Sequence, residues 1–388
     1  MHVRQEADAL MDVMRTYRRY LHSHAEVGLA LPETAAYVTT ELTAMGITPS
    51  RVGDCGVTAL IGGGEGKTVL LRADMDALPI EEATGLPFAA EKNMHACGHD
   101  LHTASLLGAA RILKAHEAEL KGRVKLMFQP AEETLDGAKM MVDAGILENP
   151  KVDAAVSAHT DATPAGGPVT ITSGHTLASS DRFIITVHGK GGHGSAPDRA
   201  IDPIAAAVQI HLALQEIKAR EIPARDPASL TVGKFVAGTA DNIIPDSALI
   251  AGTLRTYNNA LRKSVLERVK EVAEAVAAAY RCRAEVDIQW GVPPTYNDPA
   301  LTASLVTKLG AVLGEEFAQI VDAPQMASED FSFVSQVVPS AYFFVPSLAP
   351  DKTEFFPHHH PRADFSEEAL PVFAALYAGA AIAFLEGE

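Results

Sequence analysis

The sequence has 388 residues, a length that suits two domains better than a single hydrophobic core. Hydrophobic residues make up 47% and charged residues 21%, which is typical of a globular chain and excludes a disordered one. The 32 lysines and arginines against 49 aspartates and glutamates give a formal net charge of −17. This charge argues against a nucleic-acid partner, because phosphate binding needs clustered positive side chains.

Cysteine use and hydropathy bear on the cellular compartment. Cys55, Cys97 and Cys282 are too few and too widely spaced for a disulfide framework, so we expect a reducing, cytoplasmic setting. Residues 1–20 are charged throughout and lack the apolar core of a signal peptide. Residues 369–385 are almost wholly apolar, but acidic residues flank them and the run is shorter than the ~20 residues that a bilayer needs. We therefore expect a buried C-terminal helix and no membrane partner.

Helices alternate with apolar strands in the first part of the chain. Apolar spacing predicts helices at residues 7–22, 34–45 and 102–120. The predicted strands lie at residues 57–61, 68–74, 124–128 and 153–159, and a strand at 341–345 precedes the final helix. This alternation of strands and helices is typical of an α/β sheet covered by helices.

The middle of the chain follows a different order of elements. Strands are predicted at residues 183–188, 230–236, 249–256 and 285–290, with helices at 202–219 and 262–281. The order is β-α-β-β-α-β, the ferredoxin-like pattern. We therefore predict an α/β protein of two domains: a discontinuous, mixed-sheet domain at residues 1–176 and 292–388, and an inserted ferredoxin-like domain at residues 177–291.

Two glycine-rich runs match nucleotide-binding patterns, and we reject both. GKGGHG at 189–194 fits G-x-G-x-x-G after a strand, but residues 195–198 intervene before any helix and no acidic residue follows at the right distance. GGGEGKT at 62–68 has Ile61 where a phosphate loop starts with glycine, and it enters a strand instead of a helix. We expect this second run to be a tight turn between strands.

Five groups of metal-ligating side chains fall at the ends of predicted elements. They are RADMD at 72–76, HACGHD at 95–100, FQPAEE at 128–133, His159, and HHHP at 358–361. Sites in open α/β sheets form at the carboxyl ends of strands, so these groups are placed to converge. Alternation puts Asp74 and Asp76 on one face, from which Asp76 is placed to orient a metal ligand.

Each of these groups alone has a more ordinary explanation. A pair of glutamates is usually a solvated face, a single buried cysteine or histidine is usually part of a core, and a histidine triplet is often a surface run. Their joint placement argues for a site. Thiol, imidazole and carboxylate together suit zinc or another borderline divalent ion.

The motifs LRADMDALP at 71–79, HACGHD at 95–100 and FQPAEE at 128–133 resemble those of the aminoacylase/carboxypeptidase metallohydrolase family. They are most similar to the branch of hippurate hydrolases and indole-acetyl-amino-acid hydrolases. The likeness continues in GKGGH at 189–193, IDPI at 201–204, residues 242–245, SEDF at 328–331 and HHP at 359–361. It covers most of the chain, and the cysteine-containing motif is specific to this branch.

The resemblance implies hydrolysis of the amide bond of an N-acyl amino acid, with two divalent metal ions per subunit. Zn, Mn, Co and Ni all suit such ligands. The implied general base is Glu132. The implied metal ligands are Cys97, His99, Glu133, His159 and His359. His359 is selected over its two neighbours because the family's last ligand stands two positions before a proline.

The resemblance also assigns a role to the inserted domain, which in this family is a dimerisation and lid domain. It implies that His193 steadies the oxyanion, usually by reaching across a homodimer. Asn242 and Arg255 would help to hold the substrate, a small N-acyl amino acid or a dipeptide-like molecule.

Some positions depart from the family pattern, and two other functions remain open. The wider family has a histidine ligand where Asp74 stands, so we do not assign Asp74 as a ligand. Thr160 and Asp161 follow His159 where the branch often has Val or an aromatic residue, and residues 194–198 lack a histidine that relatives often place after the proline. The alternatives are a dipeptidase or carboxypeptidase with the same metals, and a binding protein without catalysis. Glu132 argues against the last, since an inactive protein needs no base.

Overall fold

A computed structural model describes residues 2–349 and 355–387. Within these described residues the chain forms two compact units. The first, called here the sheet unit, comprises Met1–Thr176, Tyr296–Pro324 and Asp330–Glu388 as far as they are described. The second, called the inserted unit, comprises Leu177–Thr295 and Gln325–Glu329. It extends past the predicted insertion at 177–291, because the last strand and its connection continue to Thr295.

The helices of the two units are, in chain order, α1 Val3–Ala9, α2 Met11–Ser23, α3 Pro32–Ala44, α4 His99–Ala115, α5 Gly137–Asp143, α6 Pro203–Glu216, α7 Asn259–Ala279, α8 Pro299–Leu313, α9 Ser332–Ser335 and α10 Leu370–Leu385. The strands are β1 Pro49–Val52, β2 Gly56–Ile61, β3 Thr68–Asp74, β4 Arg123–Gln129, β5 Ala154–Pro164, β6 Val169–Thr172, β7 Gly174–Leu177, β8 Ser180–His188, β9 Gly192–His193, β10 Ala228–Ala237, β11 Ile243–Ile244, β12 Ser247–Thr256, β13 Arg283–Val292, β14 Thr295–Asn297, β15 Ala318–Val321 and β16 Ser340–Leu348.

The sheet unit is built on a mixed sheet with the strand order β1-β2-β4-β3-β5-β16-β6-β15. β3 runs parallel to β4 and β5, and β16 runs parallel to β5, whereas β2 is antiparallel to β4. Every residue of β3 is buried, as expected for a parallel strand that is covered on both faces. Asp74 at the end of β3 pairs with Gln129 at the end of β4, so the carboxyl ends of these strands lie at one edge.

The C-terminal helix lies in the core of the sheet unit. Among the described residues, the segment Glu367–Leu385 is long and apolar enough to cross a membrane, but 83% of its most apolar window is buried inside the protein. α10 packs against α4 and α8, and its alanines join the same hydrophobic core as β3 and β4. Such burial is characteristic of the core helix of a globular domain and agrees with the sequence-based expectation.

The inserted unit has the predicted β-α-β-β-α-β order, formed by β8, α6, β10, β12, α7 and β13. Its main sheet has the order β10-β12-β8-β13, and these neighbours are antiparallel. Apolar residues of β8 and β12 meet the inner faces of α6 and α7 in a separate hydrophobic core. The predicted fold class, α/β with an inserted ferredoxin-like domain, is confirmed.

Several element boundaries differ from the predictions. The predicted helix at 7–22 is two helices, because Leu10 leaves the helical conformation with ψ near 3°. α4 begins at His99, not at residue 102, because Gly98 adopts a left-handed conformation with φ 84° directly before it. The glycine-rich GKGGHG run contains the short strand β9, and the next α-helix, α6, begins only at Pro203.

A buried ionic network ties α2 to the first turn of α4. His22 Nδ1 lies 2.9 Å from Asp100 Oδ2, and His22 Nε2 lies 3.1 Å from Glu82 Oε2. Arg18 Nε lies 3.0 Å from the same Asp100 oxygen. Burial opposes the charged form of His22, but the two carboxylates outweigh it and raise the pKa of His22 to about 9. His22 is therefore charged at neutral pH.

This raised pKa predicts a pH-dependent contribution to stability. The contribution of His22 is complete below the unfolded-state pKa of ~6.5 and is lost as the pH rises through about 9. We expect His22→Gln to cost about 3 kcal/mol more unfolding free energy at about pH 6 than at about pH 10. Urea unfolding followed by circular dichroism measures the difference, with His24→Gln, an exposed histidine on the same helix end, as control. An equal cost at both pH values would contradict the network.

Candidate metal centre

The candidate site begins at the edge of the sheet where β3, β4 and β5 end. Gln129 is paired with Asp74, and Glu132 and Glu133 follow Gln129 by three and four residues. His159 lies in β5, which is parallel to β3. The parallel register therefore delivers an aspartate pair, a glutamate pair and a histidine to the same edge.

The HACGHD motif reaches this edge because a glycine stands at its turn. Gly98 has φ 84°, and a Cβ built there would lie 2.8 Å from Thr160 Cγ2. A side chain at position 98 would thus collide with the residue next to His159. Glycine lets the loop approach β5 and places Cys97 just before, and His99 within, the first turn of α4.

The structure brings the five predicted metal ligands together. Among the described residues, Cys97, His99 and His159 form one group whose ligand atoms all lie within 4.8 Å of one another. Cys97, Glu133 and His359 form a second such group, and His99, Glu132 and Glu133 form a third. Because Cys97, His99 and Glu133 are each shared between groups, the three groups form one continuous donor cluster. Glu132, the predicted base, lies within it.

Individual distances show how closely the donors approach. Cys97 Sγ lies 3.4 Å from His159 Nε2, His359 Nε2 lies 3.3 Å from Glu133 Oε2, and His99 Nε2 lies 3.9 Å from Glu133 Oε1. The side chain of His359 is 53% exposed, whereas that of Glu133 is 9% exposed. One side of the cluster is therefore open and the other is enclosed by the sheet.

The neighbours of His359 in the histidine triplet point elsewhere. His358 Nε2 lies 3.1 Å from Thr160 Oγ1, so its ring faces the residue after His159. His360 is half-buried and stacks on Phe356 with ring centroids 4.6 Å apart. His359 itself has φ 66°, an unusual backbone conformation for a residue with a side chain. The structure thus supports the choice of His359 within the triplet.

The hydrogen bonds of two histidines fit metal ligation. His99 Nδ1 donates to the backbone carbonyl of Asp76 at 2.8 Å, and His159 Nδ1 donates to the carbonyl of Thr160 at 2.8 Å. In a neutral ring, a proton held at Nδ1 leaves the Nε2 lone pair available to a cation, as in most metal-ligating histidines. His99 Nε2 and Glu133 Oε1 are buried with no hydrogen-bond partner among the described residues. These buried ligand atoms, together with the nearby thiol of Cys97, suit borderline divalent cations.

Asp76 supports the glutamate pair directly. Its Oδ1 accepts the backbone N–H of Glu132 at 3.0 Å, and its Oδ2 accepts the backbone N–H of Glu133 at 3.1 Å. The same residue holds His99 through its carbonyl. Asp76 therefore contacts three residues of the cluster at once.

The turn that carries the glutamates is held in a strained conformation. Ala131 has φ 56° and Leu135 has φ 63°, and residues with a side chain rarely adopt such angles. A Cβ at Gly137 would lie 1.6 Å from the carbonyl oxygen of Pro130, so only glycine permits the chain to close there. Strain of this kind persists where the surroundings determine the backbone.

The pKa shifts at this cluster determine how a cation would compete with protons for the ligand atoms. Burial raises the pKa of the Cys97 thiol, and hydrogen bonds with His359 and His99 partly offset this effect. Hydrogen bonds to Cys97 and Glu133 raise the pKa of His359 to about 10. Burial and the neighbouring His102 and His358 hold the pKa of His159 well below its ordinary value, so this ring is a neutral base. Protons and cations compete for these donors, so metal affinity should rise with pH.

Asp74 is engaged in a different way from the other donors. Its Oδ1 accepts a hydrogen bond from His102 Nδ1 at 2.6 Å, and its Oδ2 accepts one from Arg72 at 2.8 Å. His102 Nε2 in turn accepts the backbone N–H of Thr160 at 2.9 Å. The sequence analysis missed His102, although its spacing of three residues from His99 on one helix face was a usable signal. Asp74 and His102 thereby join the ends of β3 and β5.

The remaining predicted residues lie in the inserted unit. His193 in β9 pairs with Ile243 in β11, and the N–H of Gly194 donates to the carbonyl of Asn242 at 2.8 Å. A Cβ at Gly194 would lie 2.9 Å from that oxygen, which explains one glycine of the GKGGHG run. Arg255 lies apart from this pair in β12 and donates to the carbonyl of Met326 at 3.0 Å and to Ser328 Oγ at 3.2 Å.

A mixed α/β sheet with a cluster of thiol, imidazole and carboxylate donors at its carboxyl edge defines a metallohydrolase. The chain belongs to Peptidase family M20/M25/M40, whose sequence model matches residues 70–383. The resemblance inferred from the motifs is therefore confirmed, and the chain is a metallo-amidohydrolase of this family.

Individual relatives agree with this membership. IAA-amino acid hydrolase ILR1-like 4 of Arabidopsis thaliana is 40% identical over 96% of this chain and 86% of its own length. N-acetyl-L-cysteine deacetylase of Bacillus subtilis is 39% identical over 91% of this chain and 83% of its own length. Among solved structures, the Bacillus subtilis YXEP protein, described as a dinuclear metal-binding peptidase, has a TM-score of 0.84 and 35% identity over 98% of this chain and 100% of its own.

Glu133 belongs to two of the three donor groups, and this predicts the effect of removing its side chain. Glu133→Ala deletes the carboxylate that links two donor groups, so we expect the metal content after reconstitution to fall from two ions per chain to one or none. Elemental analysis of the purified protein measures it, with Glu132→Gln as the matched control that should keep both ions. Full metal content in Glu133→Ala would remove this residue from the ligand set.

Proposed function

We propose that this protein hydrolyses the amide bond of N-acyl amino acids and releases a carboxylic acid and an amino acid. The observation that carries the proposal is the position of Glu132. This carboxylate lies within the donor cluster, next to a second glutamate that faces His359 and Cys97. The names of the relatives, an amino acid conjugate hydrolase and an N-acetyl-L-cysteine deacetylase, support the substrate class.

The proposed cofactor is a pair of divalent cations, with Zn, Mn, Co and Ni all suited to the donors. The ligands we propose are Cys97, His99, Glu133, His159 and His359. When bound, such cations would polarise the scissile carbonyl and make a water molecule more nucleophilic at neutral pH. The dinuclear description of the YXEP protein supports the count of two.

The reaction needs a residue that accepts a proton in one step and donates it in a later step. We assign this role to Glu132, which would take a proton from the water as its oxygen adds to the carbonyl carbon. The C–N bond then breaks, and Glu132 returns the same proton to the nitrogen of the leaving amine. The hydrogen bond from the Glu132 backbone to Asp76 holds the base in place through both transfers.

Residues of the inserted unit would complete the site in this proposal. His193 would donate a hydrogen bond to the oxyanion, and Asn242 and Arg255 would bind the substrate. The backbone pairing of the β9 and β11 segments supports a common role for His193 and Asn242. The bonds of Arg255 to Met326 and Ser328 use one guanidinium nitrogen, which leaves other N–H groups to face a carboxylate.

The proposal predicts both a substrate class and a dependence on Glu132. Protein reconstituted with each candidate metal should release amino acids from N-acetyl or N-benzoyl derivatives faster than from dipeptides. We expect Glu132→Gln to lower kcat by about 10²–10⁴-fold with metal content unchanged. Liquid chromatography of the released amino acids measures both rates.

Three outcomes would contradict parts of this assignment. Faster cleavage of dipeptides than of N-acyl amino acids would make the protein a dipeptidase or carboxypeptidase. No hydrolysis by the metal-loaded wild type over the whole panel would favour a binding protein without catalysis. Normal turnover by Glu132→Gln would remove the proposed base.

We also propose that the protein is a homodimer held by the inserted unit, so that His193 can serve a partner's site. β10 is an edge strand of its sheet and carries Phe235 and Val236, which are 40% and 53% exposed. Val208 and Leu212 form an exposed stripe on α6, and His211 between them contacts the Phe235 ring. An apolar edge strand beside an apolar helix is suited to a second copy of the same surface.

The free, buried cysteines support a cytoplasmic location.

Charged substitutions on this surface should dissociate the dimer. We expect Leu212→Glu combined with Val236→Glu to elute as a monomer, because like charges on both copies would be buried against one another in the interface. Light scattering after size exclusion measures the mass. Val337→Glu, at an apolar position of the sheet unit that is 59% exposed, is the control and should remain dimeric. A monomeric wild type, or an unchanged mass in the double variant, would overturn the proposal.

A further inference from the structure

The ring of His193 is held by one neighbouring residue. The backbone N–H of Ser195 donates to His193 Nδ1 at 3.1 Å, and Ser195 Oγ lies 2.8 Å from the same nitrogen. Among the described residues, these are the side-chain hydrogen bonds found for His193. The other ring nitrogen, Nε2, lies on the opposite side of an exposed side chain. The two nitrogens of this ring therefore have different environments.

The two contacts determine which nitrogen carries the proton. A backbone N–H can only donate, so Nδ1 must offer its lone pair and cannot itself be protonated while this bond exists. The Ser195 hydroxyl can rotate and donate to the same lone pair. The neutral ring of His193 is then the tautomer with hydrogen on Nε2, which makes Nε2 a hydrogen-bond donor.

We propose that Ser195 is a positioning residue that fixes His193 as a neutral Nε2–H donor. This inference rests on the proposed function, in which His193 donates to the oxyanion of the amide. A ring with the opposite tautomer would present a lone pair to the oxyanion and repel it. Ser195 thus makes the donor independent of ring protonation, so that no positive charge on His193 is needed.

The backbone around this pair is well fixed. His193 is paired with Ile243, and the N–H of Ala196 returns to the carbonyl of His193 at 2.8 Å. This tight turn brings the backbone N–H of Ser195 within hydrogen-bond distance of His193 Nδ1. Among the charged residues of the same loops, Asp246 accepts the N–H of Gly191 at 2.8 Å, and Arg199 lies 4.0 Å from Asp198.

Two substitutions of similar size separate the proposed role from a structural one. In Ser195→Asn the side-chain amide can still donate to Nδ1. In Ser195→Asp the carboxylate can only accept, so it competes with the backbone N–H of residue 195 for Nδ1 and favours a proton on that nitrogen. At about pH 9, where a typical imidazole is neutral, the Asp variant should hold its single ring proton on Nδ1 and expose a lone pair at Nε2.

Nitrogen NMR of ¹⁵N-histidine-labelled protein reads the tautomer without any turnover. The unprotonated ring nitrogen resonates far downfield, and Nδ1 and Nε2 differ in their couplings to the ring protons. Subtraction of the His193→Ala spectrum assigns the signals. For the wild type and Ser195→Asn we expect the unprotonated nitrogen to be Nδ1. For Ser195→Asp at about pH 9 we expect it to be Nε2.

Kinetics on the best substrate of the screen test the consequence. At about pH 9 we expect Ser195→Asp to lower kcat about 10²-fold with little change in KM, because one oxyanion donor is lost. We expect Ser195→Asn to stay within about threefold of the wild type.

The proposal is overturned if Nδ1 is protonated in the neutral wild type, or if Ser195→Asp changes the tautomer while kcat stays normal. Loss of kcat in both variants with an unchanged tautomer would also overturn it, because the effect would then be structural. An inactive wild type that shows the expected tautomer would count against the proposed function and leave the tautomer assignment intact.

Discussion

The candidate site depends on the hydrogen bonds that Asp76 accepts. It accepts the backbone N–H groups of both Glu132 and Glu133, and the Asp76 carbonyl accepts the ring N–H of His99. Two adjacent glutamates can take different roles only if the backbone between them is fixed, because their charges would otherwise drive both side chains toward the same cations or away from each other. By binding both amides, Asp76 lets one carboxylate join His359 and Cys97 while the other stays beside His99.

A second buried network supports the strands beneath this contact. Arg72 is fully buried and donates to Gln129 Oε1, Asp74 Oδ2 and Asp330 Oδ1. Asp330 Oδ2 also accepts the N–H of Ala138, just after the turn that carries the glutamates. Losing one partner of a buried charge typically costs about 3–5 kcal/mol, so these residues hold one another in place. These contacts fix the ends of β3 and β4 and the start of α5 relative to one another. They offset the backbone strain of Ala131 and Leu135, which both have positive φ.

Much of this arrangement was predictable from the sequence, for a physical reason. Ligand residues at the ends of apolar strands must converge once those strands run parallel, so Glu133 and His159 could be grouped before any coordinates. What the sequence did not predict depends on contacts between distant segments. The pairing of His102 with Asp74, the bond of His358 to Thr160 and the left-handed conformation of Ala131 are set by tertiary packing, which leaves no local pattern. The tautomer of His193 is of the same kind, since it follows from two contacts of Ser195 with Nδ1, the backbone N–H at 3.1 Å and the hydroxyl at 2.8 Å.

The central claim is that one donor cluster in the sheet unit holds two cations beside Glu132. Anomalous diffraction from crystals of the manganese- or zinc-loaded protein, collected on both sides of the metal absorption edge, tests it most directly. The account predicts two anomalous peaks, each in contact with the thiolate, imidazole or carboxylate atoms of Cys97, His99, Glu133, His159 and His359, with Glu132 bound to neither. Peaks elsewhere, or a cation coordinated by Glu132 in place of Glu133, would contradict it.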